Sequence, residues 1–132
     1  MFSQAEMDYL KTQRLARIAT ASPKGVPEVS PVGFEFDGTY FWVGSHSQDI
    51  FSRTMRYRNI AGGNNRVSIV VDDLASVNPW RPRGIKASGV AEILEHNGIF
   101  GNGKYIRIAP RITVSWGVEP SAGTQRVSKR WR

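Results

Sequence analysis

The feature that most constrains this fold is a series of short strand-forming segments separated by tight-turn signals. In VGFEFD, residues 32–37, every second residue from Val32 onward is apolar, which is the period of a half-buried β-strand. Asp37-Gly38 follows at once and is a strong hairpin signal. The pattern predicts that this strand pairs antiparallel with the segment that follows it.

Similar segments recur along the chain. The strand just described extends over VPEVSPVGFEF (26–36). The other predicted strands are RLARIATAS (14–22), TYFWVGSH (39–46), RVSIVVDDL (66–74), IKASGVAEIL (85–94), KYIRIAP (104–110) and ITVSWGVE (112–119). Two prolines predict a loop over 75–84, and the glycines of 96–103 predict a turn. Six or seven antiparallel strands in 132 residues, interrupted midway by a helix, favour a mainly β fold that closes as a small barrel with short helices.

A first helix is predicted from about Gln4 to Thr12. Ser3 can cap its start, and Glu6 three residues later completes a capping box. Phe2 has the spacing to form a hydrophobic staple with residue 7.

The predicted elements divide the chain into a barrel domain over residues 1–119 and a basic C-terminal tail over 120–132.

The net charge of +7 is concentrated near the end of the sequence. Residues 104–132 hold seven basic side chains and a single acidic one, Glu119. Such a segment suits a polyanion, which includes nucleic acid, anionic lipid and a phosphorylated coenzyme. Charge alone does not choose among these ligands.

Several classes of function are disfavoured. The chain has no cysteine, which excludes disulfides and thiolate chemistry and suits a reducing cytoplasmic setting. No segment has the run of about 18 apolar residues that a membrane helix needs, and the start lacks the apolar core of a signal peptide. With His46 and His96 as the only histidines, no ligand-like spacing predicts a metal site.

The segment SRTMRYRN, residues 52–59, places three arginines within six residues. A single helix over 48–60 would put Arg53 and Arg56 on one face, close to the serines of the preceding loop and to a helix start. That combination binds phosphate well, although a solvated surface helix is an equal alternative. Met55 and Tyr57 are expected to pack this helix on the barrel.

Trp80 stands in the proline-containing loop between Pro79 and Arg81. A large aromatic side chain in such a loop usually packs at a subunit interface or stacks on a planar ligand. Arg81 and Arg83 add groups that can bind phosphate or carboxylate. Trp116 alternates with valines and is expected in the core or at an interface.

The ordered occurrence of SRTMRYRNI, NNRVSIVVDDL and NPWRPRGIKASGVAEIL resembles the pyridoxamine 5'-phosphate oxidase-like superfamily, in particular its branch of F420-dependent oxidoreductases. The resemblance covers residues 1–119. It implies a six-stranded antiparallel split barrel, the FMN-binding split-barrel fold, in a homodimer with cofactor sites at the interface. The C-terminal arginine–histidine motif of vitamin B6 oxidases is missing, which argues against pyridoxamine phosphate as substrate.

The resemblance also implies which residues bind the cofactor. The phosphate positions are Ser45, Ser47, Arg53, Thr54 and Arg56. The ring positions are Val29, Ser30, Pro31 and Val32. Trp80, Arg81 and Arg83 are expected to reach the ring or its tail, from the same chain or from a second subunit. Asn59 is expected to serve the fold more than the ligand.

The predicted function is therefore hydride transfer by the deazaflavin coenzyme F420 to a small organic substrate that the sequence does not name. The protein would position the two partners and exclude water. One alternative is an FMN-dependent oxidase or reductase of the same fold. The other is a non-catalytic carrier of a cofactor, haem or nucleic acid, although aromatic residues interleaved for nucleic-acid binding are not evident.

Overall fold

A computed structural model describes residues 1–131 as a closed antiparallel barrel with short helices. The helices are Gln4–Lys11 (α1), Gln48–Arg53 (α2) and Met55–Ala61 (α3), with a 3₁₀ helix at Pro120–Ala122. The strands are Leu15–Ala21 (β1), Pro27–Phe36 (β2), Phe41–Val43 (β3), Arg66–Ser76 (β4), Arg81–Gly98 (β5), Gly101–Trp116 (β6) and Val127–Arg130 (β7).

The strands follow the order β3-β2-β1-β4-β5-β6-β7, and pairing of β3 with β6 closes the first six into a barrel. All pairs are antiparallel, and β7 is an extra strand beside β6. The barrel interior holds alternate residues of each strand, including Val67, Ile69 and Val71 of β4, which are all at most 5% exposed. The predicted six-stranded split barrel of the FMN-binding type is confirmed.

Local sequence signals determine α1. Ser3 and Glu6 form the predicted capping box, in which the Ser3 hydroxyl accepts from Glu6 N and the Glu6 side chain accepts from Ser3 N. The helix ends at Lys11, with Thr12 as its C-cap. Within residues 1–131, no helix is long and apolar enough to span a membrane.

The single helix predicted over 48–60 is wrong, because the chain breaks at Thr54. Thr54 is extended, with φ −70° and ψ 152°. Its hydroxyl donates to the Phe51 carbonyl at 2.8 Å and accepts from Tyr57 N at 3.3 Å, so it ends α2 and caps α3. Arg53 and Arg56 consequently lie on different helices.

Three residues of α3 show how it packs on the barrel. Tyr57 is half-buried and packs against the core, as predicted. Met55 was expected to do the same, but it is 47% exposed, since it is the first residue of α3 after the break at Thr54. Asn59 is buried and donates from Nδ2 to Thr20 Oγ1 of β1 at 2.9 Å, which ties α3 to the barrel wall.

The connections at both ends of β5 are shorter than the sequence indicated. The predicted loop over 75–84 ends at Arg81, where β5 already begins opposite Ser76. Pro82 is tolerated because it lies beside the irregularity between Leu74 and Ser76, close to the strand start. At the other end, β5 and β6 pair up to Gly98 and Gly101, so most of the predicted glycine-rich turn is strand.

The basic segment after residue 119 is partly built into the fold. β7 pairs with β6 from Ile112 to Ser115. Lys129 donates to the buried Glu6 carboxylate of α1, and the Trp131 ring contacts that of Phe2 with centroids 4.9 Å apart. Some of the C-terminal positive charge therefore stabilises the barrel.

Candidate cofactor site

The two serines after β3 bond within their own segment. Ser47 caps α2, since its hydroxyl accepts from Ile50 N at 3.2 Å. Its own backbone N donates to Ser45 Oγ at 3.3 Å. Both serines are half-buried. The Ser47 hydroxyl, like that of Thr54, serves as a helix cap and is only secondarily available to a ligand.

Arg53 bonds within its own helix, α2. Its guanidinium pairs with Asp49 one turn earlier, with Nη2 and Oδ2 2.8 Å apart, and its side chain is 70% exposed. An exposed pair at this spacing contributes little to stability. Arg53 thus lies on the solvent face of α2.

Arg56 is the arginine that the fold holds against the barrel. It is half-buried, and its guanidinium carbon lies 6.0 Å from the centroid of the Phe51 ring. Its Nε is buried and has no hydrogen-bond partner among residues 1–131. Burial lowers the pKa of Arg56, and the nearby Glu28 carboxylate opposes that shift. An unpartnered buried donor on a permanently charged group is a favourable partner for an incoming anion.

The four predicted ring positions on β2 divide between the two faces of the strand. Val29 is 67% exposed and Pro31 is also on the outside, whereas Val32 is 4% exposed and belongs to the core. The Ser30 hydroxyl donates to Glu28, on the side of Arg56. Since β3 pairs only with residues 34–36 of β2, the edge before them is paired only with β1 among the described strands.

Sequence reasoning missed Phe100, which forms the turn between β5 and β6 and covers this region. A Cβ placed on Gly33 of β2 would come 2.7 Å from the Phe100 ring, and one on Gly44 would come 3.0 Å from it. The ring also lies 4.5 Å, centroid to centroid, from that of His46. The signal was present in Gly33, since a glycine inside an alternating strand often marks a close approach.

The second predicted group lies around the start of β5. Trp80 is 67% exposed, and Arg81 is exposed beside it. Arg83 is engaged within the fold: Nε and Nη2 donate to the two carboxylate oxygens of Asp73 at 2.7 and 3.0 Å, and its guanidinium lies 5.1 Å from the Tyr9 ring centroid. The Arg83 bonds lower the pKa of Asp73 and raise that of Arg83.

The predicted residues around Arg56 and those around Trp80 lie at opposite ends of the barrel in one subunit. Glu28, next to Arg56, pairs with Thr20 of β1, which is level with Val67 of β4 because Ala19 pairs with Ser68. Arg81 pairs with Ser76, nine residues further along β4. At a rise of about 3.3 Å per residue, the groups are roughly 30 Å apart. One small ligand cannot contact both groups of the same chain.

Comparison with known proteins identifies the family. The sequence profile described as pyridoxamine 5'-phosphate oxidase matches residues 2–117. The chain belongs to this family, which agrees with the barrel and with the resemblance noted in the sequence.

Individual relatives show the range of functions on this fold. The chain is 35% identical over 127 residues to the 5a,11a-dehydrotetracycline/5a,11a-dehydrooxytetracycline reductase of Streptomyces rimosus, covering 93% of this chain and 88% of that protein. An F420 reductase has the same fold, with a TM-score of 0.61, 18% identity and coverage of 85% of this chain and 98% of that one. A heme binding protein from Mycobacterium smegmatis does too, with a TM-score of 0.70, 17% identity and coverage of 98% and 59%. The family thus includes oxidoreductases, and the fold also occurs in haem-binding proteins.

Proposed function

We propose that this protein is an oxidoreductase that binds a flavin-type cofactor, F420 in preference to FMN, and transfers a hydride to a small organic substrate. The observation that carries the proposal is Arg56, whose buried Nε lacks a hydrogen-bond partner in the described part of the chain and lies beside the partly unpaired edge of β2. The oxidoreductases among the relatives support the same class.

The residues present fit a phosphorylated, planar cofactor. Arg56 would hold the phosphate through charge-assisted hydrogen bonds, with Ser45 as a further donor. The exposed edge of β2 near Val29 and Pro31 would lie along the ring, and Phe100 would limit the access of water. When bound in its reduced form, F420 supplies a hydride; the protein contributes orientation and exclusion of water.

A homodimer is part of this proposal, because it can bring the Trp80 group of one chain to the Arg56 group of another. The distance of roughly 30 Å between these groups along β4 supports a site shared between two subunits. Trp80 would then contact the cofactor or close its groove from the partner subunit.

The outward face of the barrel offers a surface for the second copy. The strand register aligns five outward-facing residues in one row across four pairings. They are Val29, Ala19, Ser68, Ser88 and Ile112. The two ends of the row, Val29 and Ile112, are 67% and 42% exposed, and the small residues between them would let another sheet approach closely.

Cofactor titration of the purified apo-protein tests the proposal. F420 and FMN are each added to the wild type, Arg56→Gln and Arg53→Gln, and binding is followed by cofactor fluorescence. We expect tighter binding of F420 than of FMN, and a loss of about tenfold or more in Arg56→Gln, because a charged hydrogen bond is removed.

Arg53→Gln is the matched control, since it removes the same charge from the exposed pair with Asp49. Its affinity is expected to stay within about twofold of the wild type. Equal affinities of the wild type and Arg56→Gln would contradict the proposed site, and tighter binding of FMN would favour the flavin alternative.

A non-catalytic carrier is the second candidate, favoured by the haem-binding protein of the same fold. The exposed His46, which contacts Phe100, is a side chain that could reach a haem iron at this site. Titration with hemin, read by the Soret absorbance of the wild type and His46→Ala, distinguishes this candidate from the reductase.

A further inference from the structure

We propose that the cleft at the start of β5 binds a planar aromatic anion, and that this is the chemical class of the substrate. We call it the tryptophan cleft; it is bounded by residues 79–83, by Trp116 and Gly117 at the end of β6, and by Gly123, Thr124 and Arg126 before β7. Its volume is about 680 Å³, within the range of sites for drug-sized ligands.

Two tryptophans give the cleft its aromatic surface. Trp80 is 67% exposed, although the neighbouring prolines restrict its backbone. The Trp116 ring lies against Gly84 of β5, where a Cβ would come within 2.5 Å of Cζ2. Its position is therefore fixed by the strand beneath it. Flat aromatic surfaces of this kind stack on planar ligands.

The charges around the cleft favour an anion. Arg81 and Arg126 are exposed, and neither belongs to an ion pair among the described residues. The Arg126 guanidinium lies 5.7 Å from the Trp116 ring centroid. None of the described residues that line the cleft is acidic. Arg83 is neutralised by Asp73, so Arg81 and Arg126 are the groups available to bind a carboxylate, sulfonate or ionised phenol.

The segment after β6 is shaped before any ligand arrives. Gly117 has φ +67°, and a Cβ there would come 2.4 Å from the Pro82 carbonyl oxygen. Only glycine permits this close approach in the left-handed region. The contact places residues 116–117 directly beside the start of β5, and β7 then fixes the far end of the segment. The cleft is therefore preformed, which reduces the entropy lost on binding.

The assignment of this ligand as substrate rests on the proposed function, whereas its binding does not. The Arg56 region lies roughly 30 Å away on the same chain, so the cleft is a separate site within one subunit. In the proposed dimer, the partner subunit's cleft would lie next to the cofactor. Trp80 and Trp116 would then stack on the aromatic substrate, while Arg81 and Arg126 bind its negative charge.

Calorimetric titration of the full-length apo-protein tests binding with a matched pair of probes. Naphthalene-2-sulfonate is the planar anion and naphthalene-2-sulfonamide its neutral counterpart. We expect the wild type to bind the sulfonate about tenfold more tightly than the sulfonamide. Trp80→Ala and the double variant Arg81→Gln/Arg126→Gln should each weaken sulfonate binding about tenfold.

The control is Arg14→Gln/Lys24→Gln, which removes the same charge from two exposed basic side chains outside the cleft and outside the proposed dimer contact. It should bind the sulfonate as the wild type does. Equal affinity for both probes, an unaffected Trp80→Ala, or equal losses in the two double variants would overturn the proposal.

Titration of the same proteins with F420 separates this inference from the proposed function. Binding of F420 without selective binding of the sulfonate would overturn the proposed anion site in the cleft and retain the proposed reductase function. Selective binding of the sulfonate by a wild type that binds neither F420 nor FMN would retain the cleft as an aromatic-anion site and overturn its assignment as the substrate site of a reductase.

Discussion

At the scale of single residues, arginines that look alike in sequence have different environments. Arg53 pairs with Asp49 in solvent, Arg56 is half-buried with an unpartnered Nε, and Arg58 is exposed. Asn59, which follows them, donates to Thr20 inside the protein. Asn59 therefore serves to hold the fold together, while Arg56 remains available to a ligand.

Replacement of Asn59 by alanine is expected to destabilise the protein while leaving the cofactor affinity of the folded form unchanged. The change removes the 2.9 Å bond to Thr20 and leaves a buried hydroxyl without its donor, which costs about 1–3 kcal/mol. Urea unfolding measures the loss. The exposed neighbour Arg58→Gln serves as the control, with an effect within about 0.5 kcal/mol. A stable Asn59→Ala protein with weakened cofactor binding would instead assign this residue to the ligand.

At the scale of elements, the last strand and the first helix depend on each other. Glu6 of α1 is 1% exposed and pairs with Lys129 of β7. Burial by itself would raise the pKa of Glu6, but hydrogen bonds from Lys129 and from the Ser3 backbone lower it below its ordinary value. The ion pair therefore stabilises the fold above the pKa of an unfolded glutamate, about 4.3, and its contribution is lost as the pH falls through the lower pKa of the folded state.

Lys129→Met is expected to reduce the free energy of unfolding by about 3 kcal/mol at pH 7, because it leaves a buried carboxylate unpaired. Without Lys129, burial raises the pKa of Glu6. As the pH falls, Glu6 of the variant therefore becomes protonated, and the cost of burying an unpaired charge disappears. The difference from the wild type should therefore shrink between pH 7 and pH 4. Urea unfolding at both pH values measures it, with the exposed Lys24→Met as control. A difference that stays constant with pH would contradict this role of Glu6.

Elements specified by adjacent residues were predicted from the sequence. The Asp37 turn is one: its carboxylate accepts from the backbone of Thr39 and Tyr40 at 2.8 and 2.7 Å, and Gly38 has φ +102°. The capping box of α1 is another. The break at Thr54 was missed because the apolar spacing around it also suits one continuous helix. β7 was missed because three of its four residues, Val127–Arg130, are polar, so the sequence lacks the apolar pattern of a strand.

The candidate site was predicted less completely for similar reasons. A serine or threonine before a helix has the same sequence signature whether it caps the helix, as Ser47 and Thr54 do, or binds a phosphate. The separation between Arg56 and Trp80 depends on strand register, which sequence spacing does not give. Phe100 reaches the site only because the β5–β6 hairpin folds its tip over Gly33.

At the scale of the whole molecule, the barrel places its two groups of candidate ligand-binding residues at opposite ends. The site that we propose between two subunits would use both groups, and a two-fold arrangement would form two such sites. The outward-facing row from Val29 to Ile112 is the surface that we propose for this contact. Its centre is occupied by Ser68 and Ser88, whose hydroxyls lie 3.0 Å apart.

Ser68→Arg is expected to produce a monomer and to weaken F420 binding in parallel, because a long charged side chain would stand in the centre of the proposed contact. Light scattering coupled to size exclusion measures the mass, and cofactor fluorescence measures the affinity. Thr39→Arg, in the exposed turn between β2 and β3, adds the same charge far from this face and should leave both unchanged. A Ser68→Arg dimer, or a monomer with full affinity, would contradict the shared site.

The pairing of Glu6 with Lys129 also has a consequence for biosynthesis. The two residues are 123 positions apart, so the ribosome makes the carboxylate long before its cationic partner. During that interval α1 cannot bury Glu6 without leaving a charge uncompensated, and the edge of β6 that receives β7 stays unpaired. The six-stranded barrel can close before β7 is made, but the docking of α1 is completed late. The unpaired edge of β6 and Phe2 are features that a chaperone would recognise until β7 emerges.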